Sequence, residues 1–146
     1  MSASSRYGCA VQDGPQPFTV LVVDDDASVC RSVARLLRAS GYAVQTFSRA
    51  AAFLAAVGPK SRGCVLLDVT MPRMSGLEAQ VVLRARGIAL PVIALSARDS
   101  SQVRERARER GAQFFLQKPV DDQALLDAIA WVTQLPAAPA APAGAQ

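Results

Sequence analysis

Residues 64–78 read CVLLDVTMPRMSGLE, and this stretch decides the fold. Four apolar residues, Cys64–Leu67, run without alternation into Asp68. A strand that is apolar on both sides is covered on both faces, which is the habit of parallel sheets. After a loop bearing Pro72, Ser75-Gly76-Leu77-Glu78 has the S-x-x-E form of a capping box, so a helix opens there. It is expected to run to about Arg86 and to stop at Gly87. One strand-to-helix unit is therefore legible in a single short stretch.

The same grammar recurs on both sides. Upstream, Phe18–Val23 is a continuous apolar run ending in Asp24-Asp25-Asp26. A helical pattern follows, with Val29, Val33, Leu36 and Leu37 on one face and Gly41 as a stop. Ala43–Phe47 reads as a short strand. Ser48 is placed to cap a helix that carries Phe53, Leu54 and Val57 and ends at Gly58-Pro59. Downstream, Pro91–Leu95 ends in Ser96, and a polar helix from about Ser100 to Arg110 is stopped by Gly111. Gln113–Gln117 leads into Lys118-Pro119, and a last helix from about Asp122 to Gln134 buries Leu125, Leu126, Ile129 and Val132.

Strands alternating with helices make right-handed parallel crossovers. The predicted fold is α/β: a doubly wound five-stranded parallel sheet of flavodoxin-like order 2-1-3-4-5, with helices on both faces. The folded unit is read as 18–134. A polar, turn-rich and flexible extension, 1–17, is expected before it, and an Ala/Pro-rich tail or linker, 135–146, after it.

Composition narrows the chemistry. With 51% hydrophobic and 19% charged residues, the chain of 146 residues is of the globular class. No apolar run reaches the roughly 20 residues that span a bilayer, and the polar start offers no secretory signal, so a cytoplasmic protein is expected. There is no histidine, which excludes Ser-His-Asp and Cys-His catalysis, imidazole zinc sites and a phosphohistidine-donor role. Cys9, Cys30 and Cys64 fit neither a disulfide framework nor a metal knuckle. Cys30 and Cys64 read as small buried hydrophobes. The net charge is +4, and many of the arginines lie between Arg98 and Arg110. Glu105 and Glu109 are interleaved there, so the segment reads as a solvated helix face rather than a nucleic-acid patch. No nucleotide-binding glycine motif follows any strand.

In open parallel sheets, ligands bind beyond the carboxyl ends of the strands. Here those ends carry Asp24, Asp25 and Asp26, then Asp68, Ser96 and Lys118. Clustered carboxylates repel and call for a cation, and an oxygen-only donor set selects a hard one, Mg²⁺ above all. A carboxylate can attack phosphorus to give an acyl phosphate, with a metal ion and an ammonium neutralising the transferring group. The set suits phosphoryl transfer onto the protein itself.

The segments LVVDDDASV, VLLDVTMPRMSGLE, VIALSA and FFLQKPV resemble those of response-regulator receiver domains of two-component signalling, over about Phe18 to Gln134. The resemblance implies a phosphorelay switch rather than an enzyme, acting only on its own phosphoryl group. It implies Asp68 as phosphoacceptor. Asp24, Asp25, Asp68 and the backbone carbonyl of Thr70 would hold Mg²⁺. Ser96 and Lys118 would hold the phosphoryl group, Phe115 would be the switching aromatic, and the Lys118–Pro119 bond would be cis. The implied partner is a histidine kinase or a histidine phosphotransfer protein. A homodimer through the face of the fourth helix, fifth strand and fifth helix is compatible with the family. A tail this short cannot hold a helix-turn-helix, so specific nucleic-acid binding by this chain alone is not expected.

Some residues keep a second reading. Asp26 is assigned to the cap of the first helix rather than to the metal. Ser96 alone could be a turn residue, Phe115 alone a core residue, and Trp131 either flanks the core or belongs to a dimer face. Thr70 and Arg98 lie where receivers tune acyl-phosphate lifetime. A rival reading also stands: Asp24-Asp25-Asp26-Ala27-Ser28 has the D-x-D-x-[ST] form of haloacid-dehalogenase-type phosphatases, whose nucleophile would be Asp24. That reading leaves Asp68 and the loop after it unexplained.

Overall fold

The computed structural model describes residues 18–70, 75–97 and 101–134. The expected extension, the tail, residues 71–74 of the Met-Pro loop and Arg98 lie outside the described residues. Five strands and five helices alternate: β1 (Thr19–Val23), α1 (Ala27–Ala39), β2 (Ala43–Phe47), α2 (Ala50–Ala56), β3 (Gly63–Asp68), α3 (Gly76–Ala85), β4 (Val92–Ser96), α4 (Ser101–Glu109), β5 (Ala112–Gln117) and α5 (Asp122–Thr133). The sheet is wholly parallel in the order β2-β1-β3-β4-β5. This is the doubly wound, flavodoxin-like arrangement expected from the sequence.

Continuous apolar strands feed two cores, because successive side chains point to opposite faces. Val20, Val22, Cys64 and Leu66 pack with α1 and α5 on one side. Leu21, Val23, Val65 and Leu67 pack with α2 and α3 on the other. A smaller cluster of Val69, Ala94 and Ala107, with Val103 and Phe115 beside it, seats α4.

Local signals place the helix starts. Asp26 Oδ1 accepts from the backbone N–H of Ser28 and Val29 at 2.9 and 3.3 Å, so it caps α1. Ser75 and Glu78 form the reciprocal capping box at the head of α3. Ser48 does not cap α2. The helix begins at Ala50, and Arg49 holds the cap position in extended geometry with no side-chain cap bond. Ser48 therefore stands one residue too early to reach the free amides of the first turn. The buried stripe of α1 is also turned from the expected one. Cys30, Ala34 and Leu37 are buried, while Val29, Val33 and Leu36 sit at its margin. In α5, Leu125, Ala128, Ile129 and Val132 are buried and Leu126 is only partly so.

Cys30 and Cys64 are free thiols inside the core. Burial pushes the Cys64 thiol up to about 12. Above the ordinary thiol range the unfolded chain releases a proton that the folded chain keeps, so stability should fall as pH rises from 9 toward about 12. Urea unfolding across that range, compared with Cys64→Val, checks it: the valine variant should lose less stability. Thiol-reagent titration at pH 8 should find Cys30 and Cys64 unreactive until the chain is unfolded.

Candidate functional site

The parallel sheet delivers its strand ends to one edge. Asp24 follows β1 directly, Asp68 ends β3, Ser96 ends β4, and Lys118 follows β5. Register brings them side by side. Asp68 pairs with Leu95, and Ser96 pairs with Gln117. The Val69 N–H donates to the Leu95 carbonyl at 2.9 Å, and the Lys118 N–H donates to the Ser96 carbonyl at 2.8 Å. The Lys118–Pro119 peptide bond is cis.

Three of these groups are deeply buried: Asp24 and Ser96 are 0% exposed, and Asp68 is 3% exposed. Asp25 is exposed at the mouth. Carboxylate oxygens of Asp24, Asp25 and Asp68 lie within 4.8 Å of one another. The Lys118 ammonium reaches two of the three, at 2.5 Å from Asp24 Oδ2 and 3.1 Å from Asp68 Oδ2. Asp24 Oδ1 accepts the Asp26 N–H at 2.9 Å, and its backbone carbonyl accepts the Cys30 thiol at 3.3 Å.

Burial raises the Asp24 carboxyl above the usual carboxylate range, although Lys118 and the Asp26 N–H pull against that rise. Burial pulls the Lys118 ammonium down, but its contacts with Asp24 and Asp68 outweigh that and leave it above the ordinary lysine value. Lys118 thus offsets only part of the burial of Asp24, while the two acids favour the ammonium form of Lys118. Three carboxylates face one ammonium, so the cluster is short of positive charge. All its donors are oxygens, and no His or Cys side chain ligates. An all-oxygen, net-negative cluster fits a hard divalent cation.

Thr70 contributes something the sequence reading did not foresee. Its backbone N–H and its hydroxyl both donate to Asp68 Oδ1 at 2.8 Å. The signal was present, since a Thr two residues after an Asp is suited to an Asx-type turn. These two bonds and the Lys118 contact hold the Asp68 carboxylate from both oxygens. Phe115 pairs with Ala94 across the sheet and is partly buried, with the Arg104 guanidinium stacked 5.0 Å from its ring centroid. That cation–π cover had no sequence signal, because it joins α4 to β5. Trp131 is 50% exposed and packs edge-on against Phe114 at 5.3 Å. On α4, Arg108 pairs with Glu105 at 2.6 Å in solvent, which agrees with a solvated helix face and contributes little.

Gly76 sets the distance between α3 and the site. A Cβ there would lie 2.3 Å from the Asp68 carbonyl oxygen and 2.8 Å from Val69 Cα, both backbone. Gly76→Ala must therefore push α3 away from the Asp68 turn. A loss of about 2 kcal/mol is expected, read as a lower urea midpoint.

Comparison with known proteins agrees with this arrangement. The response regulator receiver domain family matches residues 20–130. The transcriptional regulatory protein FixJ of Azorhizobium caulinodans is 44% identical over 115 residues, which cover 79% of this chain and 54% of FixJ. The transcriptional regulatory protein TdiR of Thauera aromatica is 48% identical over 111 residues, covering 76% of this chain and 49% of TdiR. The chain spans about half the length of the curated relatives it matches. The solved structure of FixJ-N superposes with a TM-score of 0.76 at 34% identity, over 84% of this chain and 99% of that one. Nothing in these matches supports the haloacid-dehalogenase reading. Among the described residues no helix is long and apolar enough to cross a membrane. With strand order, acidic cluster and sequence match in agreement, the chain belongs to the response regulator receiver domains of two-component signalling.

Proposed function

We propose that Asp68 is the phosphoacceptor of this receiver, charged by the phosphohistidine of a histidine kinase or of a histidine phosphotransfer protein. The observation that carries the reading is the Lys118 ammonium lodged between Asp24 and Asp68, with Asp25 completing a carboxylate cluster. An Asp68 oxygen forms the new O–P bond as the donor's P–N bond breaks and the electron pair leaves on the imidazole nitrogen. Thr70 orients the carboxylate through its two bonds to Oδ1. Lys118 is close enough to Asp68 Oδ2 to neutralise a phosphoryl oxygen on that side.

Asp24, Asp25, Asp68 and the backbone carbonyl of Thr70 would hold Mg²⁺, which when bound supplies charge neutralisation for the transferring group. Phosphorylation adds about two negative charges. Ser96, at the end of the neighbouring strand, is the hydroxyl that meets them. Its movement would be felt at Phe115 two residues deeper in the paired strands, and so at the α4–β5–α5 face, through which a homodimer would form.

The receiver unit is 18–134, acting in the cytoplasm, alone or as the receiver part of a transcriptional regulator. The test is incubation with acetyl phosphate and magnesium, followed by mass mapping of the modified residue. One phosphoryl group on Asp68 supports the reading, and a phosphoryl group on Asp24 overturns it.

A further inference from the structure

The chain's charge is unevenly placed. Between Asp26 and Asp68 there are six cations, Arg31, Arg35, Arg38, Arg49, Lys60 and Arg62, and no Asp or Glu. This segment holds the whole positive excess of the chain, for the remainder has ten Lys and Arg against twelve Asp and Glu. The segment builds α1, β2 and α2, and β2 is the edge strand opposite β5. The cations therefore gather toward the β2 edge, at the far end of the sheet from β5.

Three of the six share one helix face. Arg31, Arg35 and Arg38 stand at i, i+4 and i+7 of α1 and line a groove of about 430 Å³ with Cys30, Ala34 and Thr46. All three are exposed. Arg38 is anchored, its Nη2 donating to the Val44 carbonyl of β2 at 3.2 Å. Among the described residues Arg31 and Arg35 make no ion pair, and α1 has no acidic residue of its own. On α4, by contrast, Arg108 is paired with Glu105.

We propose that this groove is a sequence-independent site for the phosphate backbone of a nucleic acid duplex. Arginine forks match phosphate oxygens in pairs. The row from Arg31 to Arg38 extends about 10 Å along the helix, which is the axial advance of about three phosphates on one strand. An acidic protein surface suits the groove less well. Stable protein interfaces need a buried apolar or aromatic centre, and among the described residues the exposed large apolar side chains, Val81 and Trp131, lie on α3 and α5. Backbone contact without base readout needs no helix inserted into a groove.

The test is fluorescence anisotropy of a labelled mixed-sequence DNA duplex, titrated with the full chain over a salt series. The wild type should bind weakly with a log–log salt slope of about −2 to −3. Arg31→Gln/Arg35→Gln should flatten that slope by about 1.8 and weaken binding about tenfold or more at low salt. Arg31→Lys/Arg35→Lys should keep the slope, and Arg106→Gln/Arg108→Gln on α4 should leave it at the wild-type value. Salt-independent or absent binding overturns the proposal. So does an α1 glutamine variant that binds like wild type, or an α4 variant that loses as much. Poly-L-glutamate that displaces the labelled duplex at a lower charge concentration than unlabelled duplex does also overturns it, by assigning the groove to an acidic polypeptide.

Discussion

Asp68→Asn should take up no phosphoryl group from acetyl phosphate and magnesium, while remaining folded. An amide has no anionic oxygen to attack phosphorus, and loss of a nucleophile can cost up to about 10⁶ in rate. Intact-mass measurement should therefore show the unmodified chain over times in which wild type is fully labelled. Stability separates this from simple damage. Asp68 and Asp24 are both buried and both lean on Lys118, so the substitution removes one repulsion and one attraction together. The unfolding free energy from urea titration should stay within about 1 kcal/mol of wild type. A variant that still labels as well as wild type would sink the assignment of Asp68.

The second large effect concerns Lys118. Lys118→Met keeps the aliphatic stem but removes the ammonium that serves Asp24 and Asp68. Two buried carboxylates then face each other without a cation, and leaving a buried charge unpaired costs about 3–5 kcal/mol. Asp24 suffers most, since burial already raises it above the ordinary carboxylate range and Lys118 is the main group opposing that rise. Thermal unfolding without metal should move down by about 10 °C or more. A divalent cation would take over part of the ammonium's electrostatic role. Magnesium should then raise the unfolding temperature of Lys118→Met by more than it raises that of wild type. Equal magnesium responses in the two proteins would place the metal away from these carboxylates. The variant should also label poorly even when magnesium has restored its fold, because the ammonium beside Asp68 Oδ2 is gone.

These two substitutions act at one site through opposite physics. Asp68 is needed for its lone pairs, Lys118 for the charge it sets against two acids. Gly76 is needed for the side chain it lacks. Together they make the α3 turn, the β3 end and the β5 end a single construction, in which backbone approach and charge balance depend on each other.

Much of this was legible before any coordinates. The alternation of apolar runs with capped helical patterns prescribed a parallel sheet, because a strand apolar on both sides has nowhere to go but between two layers. The acids, the hydroxyl and the lysine at strand ends then had to share an edge, since every strand of such a sheet points the same way. The caps at Asp26 and Ser75 were readable because they act over three residues of chain. Ser48 misled for the same local reason: its type suits a cap, but the start of α2 was set by packing of Ala50, Phe53 and Leu54 on the sheet.

What only the tertiary structure decided lies between elements distant in sequence. That Lys118 bridges two carboxylates rather than one depends on how closely the ends of β1, β3 and β5 converge. The face of α1 that is buried, with Ala34 inside and Val29 and Val33 at the margin, follows from the fit of that helix to the sheet. Arg104 over Phe115 and the arginine row beside edge strand β2 exist only once helices are laid against strands. Periodicity and turn chemistry act within a few residues and so are written in the sequence. Distances across the sheet come from side chains filling shared volume, and they arise only when the whole domain packs.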